Sequence, residues 1–385
     1  MADNGAWGAW QVESSTFTKA VVAAMQKLYP EEIADKSWDN VGLLVGNSEN
    51  DVKKSKKVLV TNDLTYQVAV DAIEQDVSVI VSYHPFIFGG LKSITNKDPQ
   101  QATLLRLAKA GIAVYCPHTA VDAAPEGLNT WLADIVSGPH QSQRSVAIPC
   151  STAPSSHSGA GYGAIGRFDN AVSLSEIILR LAEKLGGLKH VMVASPVGAD
   201  VKTTKISSFG VCAGSGYDVL KKAEVDLLVT GETSHHSALR AIQQGQTLVQ
   251  VFHSNSERGY LQEVLKPKLE AAIKENVPKA EVVVSNGMIR TMSQITDESL
   301  REAIKQRLEA THVEVTDMSG GCGQAFNSVI VSPQFQGLNS LKRHRLVNAA
   351  LKDEIAIIHA WTAKCQTPEE YAKTSAANDT AQAQP

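Results

Sequence analysis

The sequence predicts a two-lobed α/β domain followed by a small α+β domain. Over residues 15–290, short runs of β-branched and aliphatic residues alternate with amphipathic helical segments. A Ser-, Gly- and Pro-rich stretch interrupts this alternation at residues 137–161, and over residues 294–374 the order changes to α-β-β-α-β. A chain of 385 residues is long enough for two or three domains of ordinary size.

The first lobe is predicted over residues 15–136. It opens with the helical segment FTKAVVAAMQKLY, which ends before Pro30. Strands and helices then alternate in the order KVLVTND, TYQVAVDAIEQD, VSVIVSYHP, QQATLLRLAKAG and IAVYCPH. The strand segments show no polar–apolar alternation, which is typical of parallel strands buried on both faces. We therefore expect a layered sheet covered by helices.

The second lobe, predicted over residues 162–290, resumes the same alternation without a strict sequence repeat. Its main segments are SLSEIILRLAEKLGG, KISSFGVCAGSG, VDLLVTGE, SALRAIQQG, TLVQVFH and RGYLQEVLKPKLEAAIKE. Residues 137–161 are expected to form a loop or linker between the lobes, because Ser, Gly and Pro favour turns over regular elements. Residues 375–385 are small and polar and are predicted to be a disordered tail.

The composition narrows the classes of function. Lys and Arg number 36 against 40 Asp and Glu, so the net charge of −4 and the absence of a basic stripe argue against nucleic-acid binding. Five scattered cysteines favour free thiols in a reducing compartment. No apolar run approaches the roughly 20 residues that a membrane span needs. We expect a cytoplasmic protein, with the nucleus and mitochondria as alternatives.

Metal-ligating residue types follow three of the predicted strands. Tyr83 and His84 end one strand, His118 and Asp122 follow another, and a third is followed by His253 and Glu257. Ligands of open α/β sheets gather at the carboxyl ends of strands, so these side chains are expected to converge. His with Asp or Glu is a ligand set of Zn, Mn or Fe(II). His235 and His236 form a further pair, which we expect to open a helix and to line the pocket without binding metal.

Six motifs then support a family resemblance for residues 16–286. They are SWDNVGLLVG, DLT, YHPFIFGGLK, HTAVDAAPEGLN, VTGETSHH and HSNSERG, in this order. The chain here resembles the Nif-three-like family, also described as GTP cyclohydrolase type 2-like or dinuclear-metal-centre proteins. The resemblance implies two α/β lobes holding two divalent ions, in many members within a toroidal hexamer. It implies His84, Asp122, His253 and Glu257 as metal ligands.

The sequence departs from this family at one position. Bacterial members usually carry two consecutive histidines before the proline, and the first is Tyr83 here. A neutral phenol is a poor ligand unless the ion lowers its pKa far below about 10. We therefore expect one or two divalent ions, Zn, Mn or Fe. His118 either replaces the missing imidazole or orients another ligand.

The C-terminal region shows a second resemblance, to the BolA family. It rests on GGCGQAF, SPQFQGLNSLKRHRLVN, IHAWTAKC and TPEEY. The resemblance implies a partner, a monothiol glutaredoxin with glutathione, and a shared [2Fe-2S] cluster. It assigns Cys322 and His359 as the ligands from this chain. A thiolate and an imidazole form a sensible mixed pair, and the partner must provide the remaining ligands.

Three functions stay open at this stage. The first is a metal-dependent, hydrolase-like domain of unknown substrate that is coupled to an iron–sulfur adaptor. In such a domain, two ions about 3.5–4 Å apart activate water. The second is a non-enzymatic metal-binding scaffold, and the third a transcription-linked regulator. The third ranks lowest, because the only basic group consists of Lys342, Arg343 and Arg345. A homo-oligomer is expected in each case.

Overall fold

The computed structural model describes residues 14–47, 55–285, 297–317, 325–355 and 360–372. The chain divides into two compact units, residues 1–289 and 290–385. Within the described residues, no helix is both long and apolar enough to span a membrane.

Among the described residues, the first sheet of the larger unit contains five strands. The elements that precede and build it are α1 (Thr16–Leu28), β1 (Gly42–Val45), β2 (Lys57–Thr61), α2 (Tyr66–Glu74), β3 (Val79–Ser82), α3 (Pro99–Lys109) and β4 (Ala113–Cys116). A further strand, β11 (Glu281–Val284), joins this sheet from the end of the unit. The strand order is β1-β4-β3-β2-β11, with β1 antiparallel to β4 and the other pairs parallel.

This sheet is buried on both faces, as its apolar strands predict. Val58 and Val60 of β2 lie in one hydrophobic core together with residues of α1, whereas Leu59 lies in a second core with Val68 of α2. Successive side chains of a strand point to opposite faces, so a strand covered on both sides needs apolar residues at every position. The absence of polar–apolar alternation follows directly.

The second sheet is built from the remaining elements of the unit, which are α4 (His118–Ala123), α5 (Leu128–Ser137), β5 (Ser142–Pro149), β6 (Gly161–Ser173), α6 (Leu174–Lys184), β7 (Met192–Ala194), β8 (Lys205–Cys212), α7 (Tyr217–Leu220), β9 (Leu227–Thr230), α8 (His235–Gln243), β10 (Thr247–Gln250), α9 (Asn255–Tyr260) and α10 (Lys266–Lys274). Within the described residues it has six strands, in the order β5-β6-β8-β9-β10-β7. Strands β8, β9 and β10 are parallel, and their carboxyl ends share one edge.

Two expectations about the lobes are corrected. Residues 137–161 are no linker, since β5 pairs antiparallel with β6 along its whole length, from Ser142↔Phe168 to Pro149↔Gly161. As an edge strand with a largely exposed face, β5 tolerates Ser and Pro that a central strand would not. The boundaries 15–136 and 162–290 also fail, because β11 pairs with β2 of the first sheet.

The smaller unit has the predicted α-β-β-α-β order. Its elements are α11 (Asp297–Leu308), β12 (His312–Asp317), β13 (Ala325–Val331), α12 (Ser340–Ala350), α13 (Lys352–Ile355) and β14 (Ala360–Gln366). In the sheet β12-β13-β14, the first pair is antiparallel and the second parallel. Leu300, Ile304 and Leu308 recur on one face of α11 and pack into the core with Phe335 and Val347. This confirms an α+β domain; the tail predicted at 375–385 lies outside the described residues.

Candidate metal centre

Three potential metal ligands converge between the two sheets of the larger unit. His84 follows β3 of the first sheet, His253 follows β10 of the second, and Glu257 lies in the first turn of α9. His253 and Glu257 are four residues apart, so the helical turn brings both side chains to one face. Residues distant in sequence therefore meet because the carboxyl ends of β3 and β10 point toward the same space.

The geometry of this cluster is tight. His84 Nε2 lies 3.3 Å from His253 Nε2 and 3.5 Å from Glu257 Oε1, and His253 Nε2 lies 3.1 Å from the same oxygen. The Glu257 residue is 1% exposed, while both imidazoles are half-buried. Within the described part of the chain, this is the one group of three or more His, Cys, Asp or Glu whose ligand atoms all lie within 4.8 Å of one another.

Each imidazole is oriented by a carboxylate on its other nitrogen. Asp63 Oδ1 lies 2.8 Å from Nδ1 of His84, and Glu232 Oε1 lies 2.9 Å from Nδ1 of His253. A carboxylate at Nδ1 keeps the proton there and directs Nε2 toward the centre, as is usual for metal-binding histidines. Asn62 completes the arrangement, because its Nδ2 donates to Glu257 Oε2 at 3.0 Å.

These contacts shift the protonation equilibria of the ligands. Burial lowers the pKa of His84, but hydrogen bonds to Asp63 and Glu257 outweigh burial and raise the pKa to about 10. The hydrogen bond to Glu257 raises the pKa of His253 to about 9. Burial acts to raise the pKa of Glu257, yet its bonds with the two imidazoles hold that pKa below the usual range. The centre therefore retains a buried carboxylate.

The backbone around the cluster is adapted to it. Gly214 has a φ of +60°, and a Cβ there would lie 2.9 Å from Glu257 Oε1 and 3.0 Å from His253 Nε2. Only glycine leaves this space next to the donor atoms open. Phe252, directly before His253, has a φ of +67°, which is costly for a bulky residue. Asn62 Oδ1 is also buried, and it has no hydrogen-bond partner among the residues that the structure describes.

Asp122 and Tyr83, the other expected donors of this region, pair with each other. The Tyr83 hydroxyl donates to Asp122 Oδ1 at 2.6 Å. Burial raises the pKa of Tyr83 well above its usual value and that of Asp122 to about 6. Tyr83 is therefore a neutral donor, and the structure does not bring Asp122 into the three-residue cluster.

His118 lies beside the cluster without joining it. Its Nδ1 is 2.7 Å from Asp39 Oδ1, and its ring packs against the rings of His84 and Tyr83, each with centroids 5.4 Å apart. His118 is the first residue of α4 and has a positive backbone φ of +27°. The contact with Asp39 therefore orients the His118 imidazole at the wall of the cavity.

The remaining predicted site residues are placed differently. His235 and His236 are exposed at the start of α8, whose N-cap is Ser234, and neither is among the described residues that line the cavity. The expectation that they line the pocket is corrected, because the first turn of the helix points them outward. Cys322 and His359 lie outside the described residues.

The cluster borders an open cavity of about 800 Å³. Side chains and backbone from both sheets line it: Asp35, Trp38, Tyr83, His84, Pro85, Phe88, His118, Thr119, Asp122, Ile148, Tyr162, Cys212, Ala213, Gly214, Ser215, Gly216, Asp218, Val219, His253 and Glu257. A volume of this size accommodates a small molecule next to the three donors.

Sequence reasoning missed several residues that support the site. Asn62, Asp63, Asp39, Glu232 and Gly214 were not singled out as site residues. Four of them stand in or beside motifs that mark the family resemblance, at 37–46, 63–65 and 229–236. Their roles depend on pairing between distant segments, for which the single sequence holds no direct signal.

Fold and site together define an α/β protein with a His-His-carboxylate cluster at an open cavity, followed by a separate α+β domain. The family model for Duf34/NIF3 (NGG1p interacting factor 3) matches residues 17–291, and the model for BolA-like proteins matches residues 291–370. The chain therefore belongs to the Duf34/NIF3 family and carries a C-terminal BolA-like domain.

Similar proteins agree with this assignment. The protein NIF3 homolog of Schizosaccharomyces pombe is 43% identical over 263 residues, which cover 68% of this chain and 92% of that protein. NGG1-interacting factor 3 of Saccharomyces cerevisiae is 40% identical over 259 residues, covering 65% and 89%. The crystal structure of a Bacillus cereus protein related to NIF3 matches with a TM-score of 0.55 at 19% identity, over 70% of this chain and 96% of that one. The structural match shows the shared fold.

Replacing Asn62 tests the account of the buried carboxylate. Asn62→Ala removes the donor to Glu257 Oε2, and we expect the free energy of unfolding at pH 7 to fall by about 2 kcal/mol, since a hydrogen bond to a buried charge is lost. Chemical denaturation of the full chain measures the change. Asn276→Ala, at an exposed position after α10, is the matched control and should stay within about 0.5 kcal/mol of the parent. Equal stability of both variants would contradict this account.

Proposed function

We propose that the larger unit is a divalent-metal-dependent hydrolytic centre that uses His84, His253 and Glu257 as ligands. One observation carries the proposal: three donors converge at an open cavity, with no fourth His, Cys, Asp or Glu in the same cluster within the described residues. Closed four-ligand sites are typical of structural zinc, whereas three ligands with an open position are typical of catalytic metals.

The residues present fit a divalent ion. Two imidazoles and one carboxylate form a donor set for Zn, Mn or Fe(II). The Nδ1 partners Asp63 and Glu232 supply the second layer of hydrogen bonds that such histidines require. The space kept open by Gly214 adjoins two of the donor atoms. One ion is proposed, because the Tyr83 hydroxyl donates to Asp122 Oδ1 and so engages one oxygen of the carboxylate that a second ion would need.

The chemistry of the site divides between ion and protein. A bound divalent ion supplies Lewis acidity and makes water available as a nucleophile near neutral pH. Asp63 and Glu232 fix the orientation of the two imidazoles. Asn62 donates to Glu257 Oε2 and so restrains rotation of that carboxylate. The Tyr83 hydroxyl holds Asp122 at the cavity wall, and Asp39 does the same for His118. These side chains present polar groups to a substrate in the cavity.

For the smaller unit, we propose an adaptor role in iron–sulfur metabolism. A monothiol glutaredoxin with glutathione is the proposed partner, and a [2Fe-2S] cluster is shared through Cys322 and His359. The BolA-like match over residues 291–370 supports this assignment, and the pairing of a soft thiolate with an imidazole is compatible with mixed cluster ligation. A homo-oligomer, including a hexamer, and a cytoplasmic location remain predictions from the sequence.

A non-enzymatic metal scaffold is the second candidate. The bond between Tyr83 and Asp122 favours it over a two-ion hydrolytic site, because it engages one oxygen of a carboxylate that a second ion would need. A scaffold would bind the ion with the same three ligands yet turn over no substrate. Metal binding therefore tests the centre, and hydrolysis of a panel of nucleotides and nucleosides separates the two candidates.

Titration with Zn²⁺ or Mn²⁺ checks the proposed ligands. We expect the full chain to bind one equivalent, and His84→Ala, His253→Ala and Glu257→Gln each to weaken binding at least about tenfold, because each removes one donor. Isothermal titration calorimetry and elemental analysis measure affinity and stoichiometry.

His235→Ala is the matched control for the histidine variants, since this imidazole is exposed on α8. It should bind one equivalent with unchanged affinity. Asp122→Asn should also retain the ion. Two equivalents per chain, or loss of the ion in Asp122→Asn, would show that the second site is intact and that the one-ion assignment is wrong.

The smaller unit is tested by anaerobic co-purification with a monothiol glutaredoxin and glutathione. We expect a complex with visible absorption of a [2Fe-2S] cluster, and loss or change of that spectrum in Cys322→Ala and His359→Ala, because both proposed ligands come from this domain. Cys365→Ala is the control, since Cys365 is half-buried in β14 and packs against the core. A normal cluster in both ligand variants would refute the assignment.

A further inference from the structure

Two exposed aromatic side chains line the cavity beside the metal centre. Trp38 and Phe88 are 51% and 55% exposed, although aromatic residues of this size are usually buried. Their ring centroids lie 6.0 Å apart, and the ring planes are tilted by 40°. Asn40 Nδ2 donates to the carbonyl oxygen of Ile87, so the loop that carries Phe88 is attached to the loop that carries Trp38. The two rings therefore form a fixed aromatic pair at the cavity wall.

A carboxylate that also lines the cavity is bonded to the edge of the indole. Trp38 Nε1 donates to Asp35 Oδ2 at 2.8 Å, and Asp35 Oδ1 accepts hydrogen bonds from the amide and the hydroxyl of Ser37. The hydrogen bond from the Ser37 hydroxyl holds the pKa of Asp35 below its usual value, so the carboxylate is ionised at neutral pH. All of these donors are neutral. No cationic side chain among the residues that the structure describes therefore compensates the charge of Asp35.

An aromatic pair beside an uncompensated carboxylate attracts a cation. The quadrupole of an aromatic ring attracts a cation within about 6 Å of the ring centroid, most strongly when the ring is tryptophan. Centroids 6.0 Å apart allow one cation to lie within this range of both Trp38 and Phe88. The hydrogen bond from Nε1 to Asp35 makes the indole more electron-rich, and Asp35 adds a direct charge attraction. Proteins use aromatic residues in this way to recognise alkylated ammonium groups.

The distance between this aromatic pair and the metal centre is short. The ring of His118 lies between Trp38 and the metal ligand His84, with centroid distances of 5.7 Å and 5.4 Å. A single imidazole therefore separates the indole from the nearest ligand of the proposed ion. One small molecule can place a cationic group at Trp38 and a second functional group at the metal centre.

The rest of the cavity lining contributes no basic side chain that would repel a cation. Among the described residues that line it, none is lysine or arginine. The Gly-rich turn at 213–216 also lines the cavity, but the amides of Ala213 and Gly214 already donate to Asn129 Oδ1 and Ser256 Oγ. Those two amides are therefore satisfied within the protein.

The metal centre itself remains net negative when its ligands are ready for a divalent ion. Glu257 and the two carboxylates at the Nδ1 atoms, Asp63 and Glu232, carry three negative charges around the centre. Metal-binding imidazoles are neutral, so these charges exceed the two positive charges that a divalent ion brings. The occupied centre is thus compatible with a cationic group at the neighbouring aromatic pair.

We propose that the cavity binds an organic ammonium ion through Trp38, Phe88 and Asp35, and that the substrate of the metal centre carries such a group. This inference rests on the proposed function, since it names the substrate class of the same centre. The aromatic faces contact the alkyl groups on the nitrogen, and Asp35 compensates the positive charge. The bond to be hydrolysed lies in another part of the same molecule, next to the metal ligands.

Calorimetric titration of the full chain with choline and with its neutral isostere 3,3-dimethylbutan-1-ol tests the proposal, because the two probes share a shape and differ in charge. Metal-free protein is used, so that coordination of the hydroxyl group by an ion does not enter the comparison. We expect saturable binding of choline and at least about tenfold weaker binding of the neutral probe. Trp38→Ala should weaken choline binding about tenfold, and Trp38→Phe should weaken it less, because a phenyl ring keeps a weaker attraction for cations.

A further variant separates the charge from the aromatic contact. Asp35→Asn removes the negative charge and keeps an oxygen acceptor for the indole Nε1, so it should weaken choline binding about tenfold and leave the binding of the neutral probe unchanged. Trp131→Phe is the matched control, since its Nε1 is bonded to Glu263 and it is not among the described residues that line the cavity. It should leave the affinity for choline unchanged. Absence of choline binding, equal affinity for the two probes, or an affinity that survives Trp38→Ala would overturn the inference.

The outcome is separable from that of the proposed function. If zinc or manganese fails to bind while choline binding still depends on Trp38 and Asp35, the metal-dependent function fails and the ammonium site stands. If the ion binds with the expected ligands but choline does not bind, the metal centre stands and the substrate class is wrong.

Discussion

The buried carboxylate of Glu257 is the constraint on which the site depends. An ionised carboxylate that is 1% exposed is stable only when its charge is compensated locally. His84 and His253 provide that compensation at Oε1, and Asn62 does so at Oε2. Since these partners come from both sheets, the carboxylate also fixes how the carboxyl ends of β3 and β10 approach each other.

The surrounding structure follows from this requirement. Asp63 and Glu232 must balance the two imidazoles, Gly214 must lack a side chain, and Phe252 must adopt a positive φ to place His253 correctly. Such local costs are tolerated where a rigid scaffold enforces them. Here the scaffold is a pair of sheets with parallel central strands, one of them completed by the return of β11 to β2.

Much of this arrangement could be predicted from the sequence. His84, His253 and Glu257 were expected to converge because strands buried on both faces are recognisable and ligands gather at their carboxyl ends. The edge strand β5 was not predictable in the same way, since its Ser- and Pro-containing composition resembles a loop. The pairing of β11 with β2 was equally hidden, because a sequence shows local patterns and not which distant strands become neighbours.

The same limit explains the errors at the site. His235 and His236 belong to a motif of the family resemblance, yet the first turn of α8 leaves both exposed. Tyr83 was recognised as a departure from the family, but its bond to Asp122 required the structure. Orientation within a turn and the choice of partner for a phenol depend on distances of a few ångströms, which residue spacing does not specify.

The most direct measurement is anomalous X-ray diffraction from crystals of the full chain grown with Zn²⁺ or Mn²⁺. The account predicts one anomalous peak per chain in the larger unit, bounded by His84 Nε2, His253 Nε2 and Glu257 Oε1. A peak that is coordinated by Asp122 and His118 but not by His253 would contradict the account, and so would the absence of an ordered peak at the centre.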